Sequence, residues 1–525
     1  MIDRLALLWP ELSLFLTTCV VMVLGLSPAA EVRRMCSFVC AVGLIVAAGL
    51  AANAPSDPYA VLPNLMPFAK VVIAAVGLLL LLLLAGTVDR DYEASIKTGA
   101  EKFNPLRSNR AEFYSFFMFS LTGLMLCTSA ESLIWLFLAL ELTSLPTYVM
   151  VTISTRGTRS HEAGVKYFFL GALGAAFFLY GFALIFGGSG ATHFIDIAHV
   201  VARDGMNPTL TLGVLISIVG IAFKIAAVPM HFYTPDVYQG ASSSVSAMLA
   251  FVPKMAGFVA IMMLCAAIGW NFGDRGSALP EPIRDLLWIM AALTMTVGNT
   301  LALRQRSIKR ILAYSSIAHS GYMLVGIIAG PGSESGVFTT NGLAAVLFYL
   351  LCYGFMNVGT FAVLASIRRA DGREADDIDD IRGLCWTHPV LGWSMVLCSL
   401  SLLGMPPLLG FVGKLGLFTS AISAGEIALV VVLGINSAIA ACYYLRLIVT
   451  PYLEKPNTND RQKVESAGII TRPIVAAISA ASVVALMLVA QPLLEESAQA
   501  GAVRGPTPAS QAATTPVEAI VLPES

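Results

Sequence analysis

The sequence predicts an all-α polytopic membrane protein with about fourteen transmembrane helices, two of them broken. Hydrophobic residues make up 57% of the 525 residues and charged residues only 12%, whereas roughly a quarter of the residues in a soluble domain are charged. Apolar windows of about 17–25 residues, the length that crosses a bilayer as a helix, recur along the chain. Prolines lie inside several of these windows, close to charged residues.

The apolar windows set the order of the spans. We predict them at residues 8–27, 36–53, 70–88, 112–129, 131–152, 163–187, 209–229, 240–268, 284–302, 310–329, 340–366, 388–421, 426–449 and 471–491. The twelfth window is too long for one straight helix and contains Gly404-Met405-Pro406-Pro407, so we expect a break there. Pro229 predicts a second break, in span 7.

The spans group into regions. Each of two groups of five spans contains an interrupted helix with an intramembrane lysine, which is typical of transporters built from inverted repeats. We predict spans 1–3 in 1–111, a first channel repeat of spans 4–8 in 112–268, a second repeat of spans 9–13 in 284–450, a loop and span 14 in 451–494, and a disordered tail in 495–525.

Lysine and arginine are unevenly distributed between the loops. Loop 3 contains five basic residues, and loops 1, 5, 9, 11 and 13 contain two to four each. The even-numbered loops contain about three in total, namely Lys70, Arg203 and Arg275. Because basic loops face the cytoplasm, we expect the odd-numbered loops there and both termini on the non-cytoplasmic side.

Composition and motifs argue against several function classes. A net charge of −1 gives no reason to expect a nucleic-acid partner. The nine cysteines are scattered without metal-ligand spacing, so we expect no metal site and no iron–sulfur cluster in this chain. The sequence also has no glycine-rich phosphate loop. We therefore expect no redox centre and no bound cofactor here.

Four ionisable residues, Glu141, Lys224, Lys254 and Lys414, lie in windows expected to be within lipid. A charge near the bilayer centre costs roughly 2.5–3.5 kcal/mol on insertion scales, so it is rarely found there without a function. Three of the four have a proline nearby that we expect to break the same helix. These helix-break residues are Pro146 beside Glu141, Pro229 beside Lys224, and Pro406 and Pro407 before Lys414.

Simpler interpretations stay open for some of these residues. Glu141 could lie at a helix end, and Lys224 could reach the membrane interface through its long side chain. His319 is mid-span beside Tyr314, and a lone buried histidine is either a satisfied core residue or a relay group. Lys166 follows Glu162 by one helical turn, as in a surface pair. We retain Lys166 and Tyr314 as candidate accessory residues.

Buried lysine suits a proton carrier. Burial disfavours the charged ammonium, whereas a nearby carboxylate favours it. A carboxylate that moves by a few ångströms would therefore switch the lysine between holding and releasing a proton. A Glu–Lys pair followed by further lysine and histidine residues predicts a switchable proton relay along the membrane midplane.

Three segments resemble the antiporter-like proton-channel subunits of respiratory complex I, and the similarity runs from about residue 8 to 492. The segments are Phe223-Lys224-Ile-Ala-Ala-Val-Pro229-Met-His231-Phe-Tyr-Thr234-Pro235-Asp236-Val-Tyr238-Gln-Gly240-Ala241, Gln305-Arg-Ser-Ile-Lys309-Arg310-Ile-Leu-Ala313-Tyr314-Ser315-Ser316-Ile-Ala-His319-Ser-Gly321-Tyr322 and Leu402-Leu-Gly404-Met-Pro406-Pro407-Leu-Leu-Gly410-Phe411-Val-Gly413-Lys414. The run Gly240–Ser244 departs from the family, which commonly has a proline there, and Tyr233 stands where tryptophan is common.

Within that family the chain most resembles the subunit N branch. The features that carry this resemblance are the opening Trp9-Pro10-Glu11-Leu12, a lysine rather than a glutamate at 414, the run Tyr443-Tyr444-Leu445-Arg446, and no long lateral helix after span 14.

The resemblance implies a proton-translocating subunit of an NADH:quinone oxidoreductase in the bacterial cytoplasmic membrane. It implies that Glu141 pairs with Lys224, that Lys254 and His319 form the central relay, and that Lys414 exchanges protons with the outer aqueous phase. NADH, FMN, iron–sulfur clusters and quinone would be used by other subunits. The implied partners are the homologous channel subunits, small membrane subunits and the lipid bilayer.

Other functions share some of these features. A subunit of a multisubunit cation/proton antiporter has the same fold and motifs, and a sodium site would favour it. A membrane hydrogenase-type complex would differ only in its partner subunits. A passive membrane scaffold would leave the cost of four buried charges unexplained.

Overall fold

Helices make up most of the chain, as a computed structural model shows for residues 7–57, 60–155, 157–272, 278–332, 337–370, 372–456 and 464–504. The described part contains twenty α-helices, two short 3₁₀ turns and a two-stranded antiparallel sheet of β1 (Ile367–Arg369) and β2 (Val464–Ser466).

The helices follow the apolar windows closely. In chain order they are α1 (Trp9–Gly25), α2 (Ala30–Ala52), α3 (Leu65–Leu84), α4 (Arg90–Lys97), α5 (Arg110–Thr128), α6 (Leu133–Ile153), α7 (Thr158–Ser189), α8 (Phe194–Asp204), α9 (Pro208–Ile221), α10 (Thr234–Gly240), α11 (Ser243–Ile268), α12 (Glu281–Leu303), α13 (Ile308–Ala329), α14 (Gly342–Ser366), α15 (Leu384–Thr387), α16 (Pro389–Leu403), α17 (Leu409–Ser423), α18 (Ile427–Leu453), α19 (Thr471–Leu488) and α20 (Ala490–Ala500).

Eleven helices of the described part are long and apolar enough to cross a membrane. Three further spans are assigned to shorter apolar helices: α1 alone, α9 continued by α10, and α16 continued by α17. The predicted fold class, an all-α polytopic membrane protein with about fourteen spans, is confirmed. The boundaries of the two repeats stay a prediction.

Two of the three predicted helix breaks are present, those in spans 7 and 12. Helix α9 ends at Ile221 and α10 begins at Thr234, so the intervening turns contain Lys224 and Pro229. Helix α16 ends at Leu403 and α17 begins at Leu409 across the Pro406-Pro407 pair. In each case the break leaves backbone carbonyl groups without helical partners, and polar side chains can use them.

The break predicted at Pro146 is wrong. Helix α6 continues through this proline from Leu133 to Ile153. The neighbouring helix α5 supports this turn, because Ser120 donates a hydrogen bond to the carbonyl of Thr143 (2.7 Å). Thr147 donates to the carbonyl of Ser144 (2.6 Å). Transmembrane helices tolerate proline where neighbouring helices and hydroxyl side chains satisfy the backbone in this way.

Two other expectations need correction. Lys70, assigned from the sequence to a loop, lies inside α3, where its buried ammonium is 2.7 Å from the carboxylate of Glu11. The tail predicted to be disordered from residue 495 begins within helix α20, which ends at Ala500. Small residues of α20 pack against α14, and the Asn341 amide donates to the carbonyl of Gly501 (3.2 Å). Residues 505–525 lie outside the described part.

Three helices form the centre of the structure. Helices α11, α13 and α14 are almost completely buried, whereas α2, α7 and α18 expose large apolar side chains along one side. An apolar outer surface is compatible with lipid, and a buried centre is where ionisable residues are kept away from it. The candidate site lies on these central helices and the two breaks beside them.

Candidate functional site

Glu141 and Lys224 form a buried ion pair. Helix α6 presents Glu141, the turns after α9 present Lys224, and the Lys224 Nζ lies 3.0 Å from the Glu141 carboxylate. The ammonium also donates to the hydroxyl of Ser144 (2.6 Å) and lies 5.5 Å from the ring centre of Phe178. The lysine side chain is 1% exposed and the glutamate 19%. The carboxylate can therefore still reach the lateral surface of the chain.

The break in span 7 connects this pair to α13. Pro229 has no N–H, so the carbonyl of Ile225 is free to accept a hydrogen bond from the Ser320 hydroxyl of α13. The close contact of α11 depends on Gly257, since a Cβ there would lie 2.6 Å from the Ile225 side chain and 3.0 Å from Lys224 Cβ.

Lys254 lies at the centre of α11, beside α13. Its Nζ donates to the hydroxyl of Ser316 (2.7 Å) and to the carbonyl of the same residue. The ring centre of Tyr353, on α14, is 5.0 Å away. Among the described residues Lys254 has no carboxylate partner, so neutral dipoles and an aromatic face are what stabilise its charged form.

His319 is held by two tyrosines. Its Nδ1 lies 2.7 Å from the hydroxyl of Tyr349 on α14, and its Nε2 lies 2.8 Å from the hydroxyl of Tyr444 on α18. The Tyr444 hydroxyl also contacts the hydroxyl of Ser315. A ring with a partner on each nitrogen can take a proton on one side and release one on the other. The relay interpretation of His319 therefore has a geometric basis.

Lys414 lies against the end of the first half of the broken span 12. Its Nζ donates to the carbonyls of Leu402 (3.1 Å) and Leu403 (2.7 Å), the last residues of α16. The ring centre of Tyr322 is 5.2 Å away. Because a helix C-terminus carries partial negative charge, this break holds a cation without a carboxylate among the described residues.

Gly404 makes that contact possible, and this gives a testable prediction. It has φ +87°, and a Cβ there would lie 2.9 Å from Lys414 Cδ. We expect Gly404→Val to displace Lys414 from the α16 carbonyls and to lower proton pumping severalfold in an assembled complex. Gly434→Val is the matched control, since a Cβ at 434 would meet only Phe418 at 3.9 Å. Equal pumping by both variants would mean that the contact is dispensable.

Helix α13 links the separate groups into one buried line. Its Ser315 contacts Tyr444, and its Ser316 contacts Lys254. Its His319 contacts Tyr349, its Ser320 contacts the Ile225 carbonyl, and its Tyr322 contacts Lys414. We call these groups, together with Glu141 and Lys224, the buried polar line. Every member can donate, accept or carry a proton or hydrogen bond. The five residues predicted for proton translocation all belong to it.

The two accessory candidates are placed differently. Lys166 is partly exposed and paired with Glu162 (2.7 Å) and Asp236 (3.1 Å), as the surface-pair interpretation expected. Tyr314 is half-buried, on α13 but not in the buried polar line. Sequence reasoning missed Ser144, Tyr349 and Tyr444 as partners. The pair Tyr443-Tyr444 was noted for its family resemblance. No feature of the neighbouring sequence distinguishes Tyr349 from other aromatic residues in apolar helices.

The chain matches a known family and several of its members. Residues 130–440 match the family described as "NADH:quinone oxidoreductase/Mrp antiporter, TM". The chain is 43% identical over 351 residues to the NADH-quinone oxidoreductase subunit N of Trichlorobacter lovleyi, covering 66% of this chain and 68% of the relative. It is 38% identical over 397 residues to the NADH-quinone oxidoreductase subunit N of Rhodospirillum rubrum, covering 75% of this chain and 77% of the relative.

Solved structures show the same fold. A chain of respiratory complex I from Thermus thermophilus superposes with a TM-score of 0.73 at 29% identity, covering 92% of this chain and 98% of that one. A chain of the Mrp complex from Dietzia also superposes with a TM-score of 0.73, covering 95% of this chain and 97% of that one. Its identity is 19%, so that likeness concerns the fold alone.

Proposed function

We propose that this chain, which belongs to the NADH:quinone oxidoreductase/Mrp antiporter transmembrane family, translocates protons as subunit N of an NADH:quinone oxidoreductase. The observation that carries the proposal is the buried polar line from Glu141 to Lys414. Its ionisable members lie where charge is costly, and each of them contacts a carboxylate, an ammonium, a hydroxyl or a carbonyl.

The Glu141–Lys224 pair is the switch in this proposal. While the carboxylate is 3.0 Å away, it stabilises the Lys224 ammonium. If Glu141 moves toward the lateral surface, to which it is partly exposed, the buried ammonium loses its partner and releases its proton. Lys254 and His319 would pass the resulting charge change along α13, and Lys414 would exchange a proton with the far aqueous phase.

The remaining features of the complex are part of the same proposal. Electron transfer from NADH to quinone, through FMN and iron–sulfur clusters, would take place in other subunits and drive the movement of Glu141. The homologous channel subunits and small membrane subunits would cover part of the apolar surface, and lipid would cover the rest. The membrane would be the bacterial cytoplasmic membrane, with protons leaving the cytoplasm.

The proposal predicts that Lys254→Met leaves an assembled complex that pumps poorly. Methionine fills the buried space but cannot carry a proton, so we expect NADH-driven pumping to fall at least about tenfold. The measurement is acidification of inverted membrane vesicles, with assembly checked on native gels. Lys102→Met is the matched control, because Lys102 is exposed and lies outside the buried polar line. Wild-type pumping by Lys254→Met would contradict the proposed function.

The orientation of the chain in the membrane can be tested separately. Both termini are proposed to lie outside the cytoplasm because the odd-numbered loops carry most of the loop lysines and arginines. A cysteine replacing the exposed Thr98 of loop 3 should react with an impermeant thiol reagent in inverted vesicles but not in intact cells. The background needs Cys19 and Cys442 replaced by serine, since both are exposed. Labelling of intact cells would refute this orientation.

A further inference from the structure

A short acidic segment between α14 and α15 crosses the helix ends on the face formed by the odd-numbered loops, here called the basic face. Glu374 accepts hydrogen bonds from the backbone N–H (3.0 Å) and the hydroxyl (2.8 Å) of Ser243, the first residue of α11. The same carboxylate lies 2.7 Å from Nζ of Lys309, at the start of α13. Glu374 therefore joins the ends of the two helices that carry Lys254 and His319.

The Glu374–Lys309 pair is largely buried, with 16% and 6% of the side chains exposed. Lys309 also donates to the carbonyl of Ala241 (2.9 Å). Among the described residues, Arg368 pairs with Glu374 through its backbone, and Arg472 at the start of α19 lies close enough to interact with Glu374 electrostatically. Burial raises the pKa of Glu374, but the Lys309 ammonium outweighs this and lowers it to about 2. Withdrawal of Lys309 would remove this stabilisation of the charged carboxylate and favour proton uptake by Glu374.

Further polar side chains lie on α11 beyond Ser243 and on α10. The Ser246 hydroxyl of α11 donates to the carbonyl of Tyr238 (2.8 Å), and the buried Tyr238 hydroxyl lies 3.5 Å from the hydroxyl of Ser316. Ser316 in turn accepts from Lys254 Nζ (2.7 Å). In the described part, the buried hydroxyl of Ser244 has no hydrogen-bond partner. An unpaired buried hydroxyl is where a bridging water is expected.

We propose that the Glu374–Lys309 pair gates proton uptake from the basic face to Lys254. A proton from the aqueous phase binds the Glu374 carboxylate as Lys309 withdraws. It then passes over the hydroxyls of Tyr238 and Ser316 to the neutral amine of Lys254, and Glu374 returns to its charged form. This inference rests on the proposed proton translocation and adds the uptake route to it.

The test is the pH profile of NADH-driven pumping by Glu374→Gln. Glutamine keeps an acceptor for Ser243 but cannot collect a proton. At about pH 8 we expect pumping at least about tenfold below wild type, with a smaller loss at about pH 6, where protons from water reach the line without the carboxylate. Glu374→Asp should recover most of the rate at high pH. A glutamine variant that matches wild type across this range would overturn the inference.

Two further variants separate a gate from a structural clamp. Asp376 belongs to the same segment and accepts from the Ser307 hydroxyl (2.8 Å) and the Lys309 N–H (3.0 Å), but it is not in the route to Lys254. Asp376→Asn should therefore leave the pH profile unchanged, and an equal loss there would make the segment a clamp only. Tyr238→Phe keeps the buried ring and should reproduce the profile of Glu374→Gln. Wild-type vesicles that fail to pump would instead refute the proposed function.

Discussion

Replacing Lys224 with alanine is expected to remove most NADH-driven proton pumping while the complex stays assembled. The substitution strands the Glu141 carboxylate in a largely buried position. Leaving one partner of a buried ion pair alone costs about 3–5 kcal/mol, and a carboxyl group avoids this cost by taking up a proton. A neutral Glu141 can no longer switch the line, so we expect the pumping rate to fall at least about tenfold. That fall corresponds to an increase of only about 1.4 kcal/mol in activation free energy.

The matched variants identify which property of the pair matters. Glu141→Ala should be as impaired as Lys224→Ala, because an unpaired buried lysine tends to lose its proton. Lys224→Arg should also fail, since arginine keeps the charge but does not release its proton at physiological pH. Pumping and NADH:quinone turnover in membrane vesicles, with native gels for assembly, measure the effect. Normal pumping by both alanine variants would mean that the pair is structural.

Lys414→Arg is expected to give the second large loss. Arginine still offers N–H donors to the carbonyls of Leu402 and Leu403, so the end of α16 keeps its cation. It does not release a proton, however, and the line would be blocked at the step proposed to exchange with the far aqueous phase. We expect pumping to fall at least about tenfold, with assembly unchanged.

The comparison with Lys414→Gln gives this prediction its control. Glutamine can donate to the same carbonyls without any charge, so it tests whether a cation is needed for assembly. If the arginine variant pumps normally while the glutamine variant does not assemble, Lys414 stabilises the broken helix and has no part in proton transfer. We expect both variants to assemble and neither to pump protons at an appreciable rate.

Local sequence was enough to predict the breaks in spans 7 and 12, whereas the partner of Lys224 was implied by the family resemblance. A charge inside an apolar window is costly, and a nearby proline can supply free backbone groups that stabilise it. Glu141, Lys224 and Lys414 could therefore be identified as candidates before the fold was known. The contacts of His319 could not. Tyr349 and Tyr444 come from two other helices, and apolar periodicity does not say which buried hydroxyl faces which nitrogen.

The errors have equally local causes. Pro146 predicted a break because proline removes a helical hydrogen bond, but neighbouring hydroxyls such as Ser120 support the turn. Lys70 begins an apolar window, and hydropathy alone cannot distinguish a loop lysine from one paired in the interior with Glu11. Helix α20 has few large apolar residues, so its small side chains gave no signal for packing against α14.

Removing the whole ion pair tests whether protons use the buried polar line. The double variant Glu141→Leu/Lys224→Met strands no charge, and buried pairs replaced by apolar residues of similar volume usually leave stability unchanged or improved. Pumping by vesicles that contain this assembled complex is the measurement. We expect a loss of pumping as large as that of Lys224→Ala. Wild-type pumping by the double variant would mean that protons do not use the line.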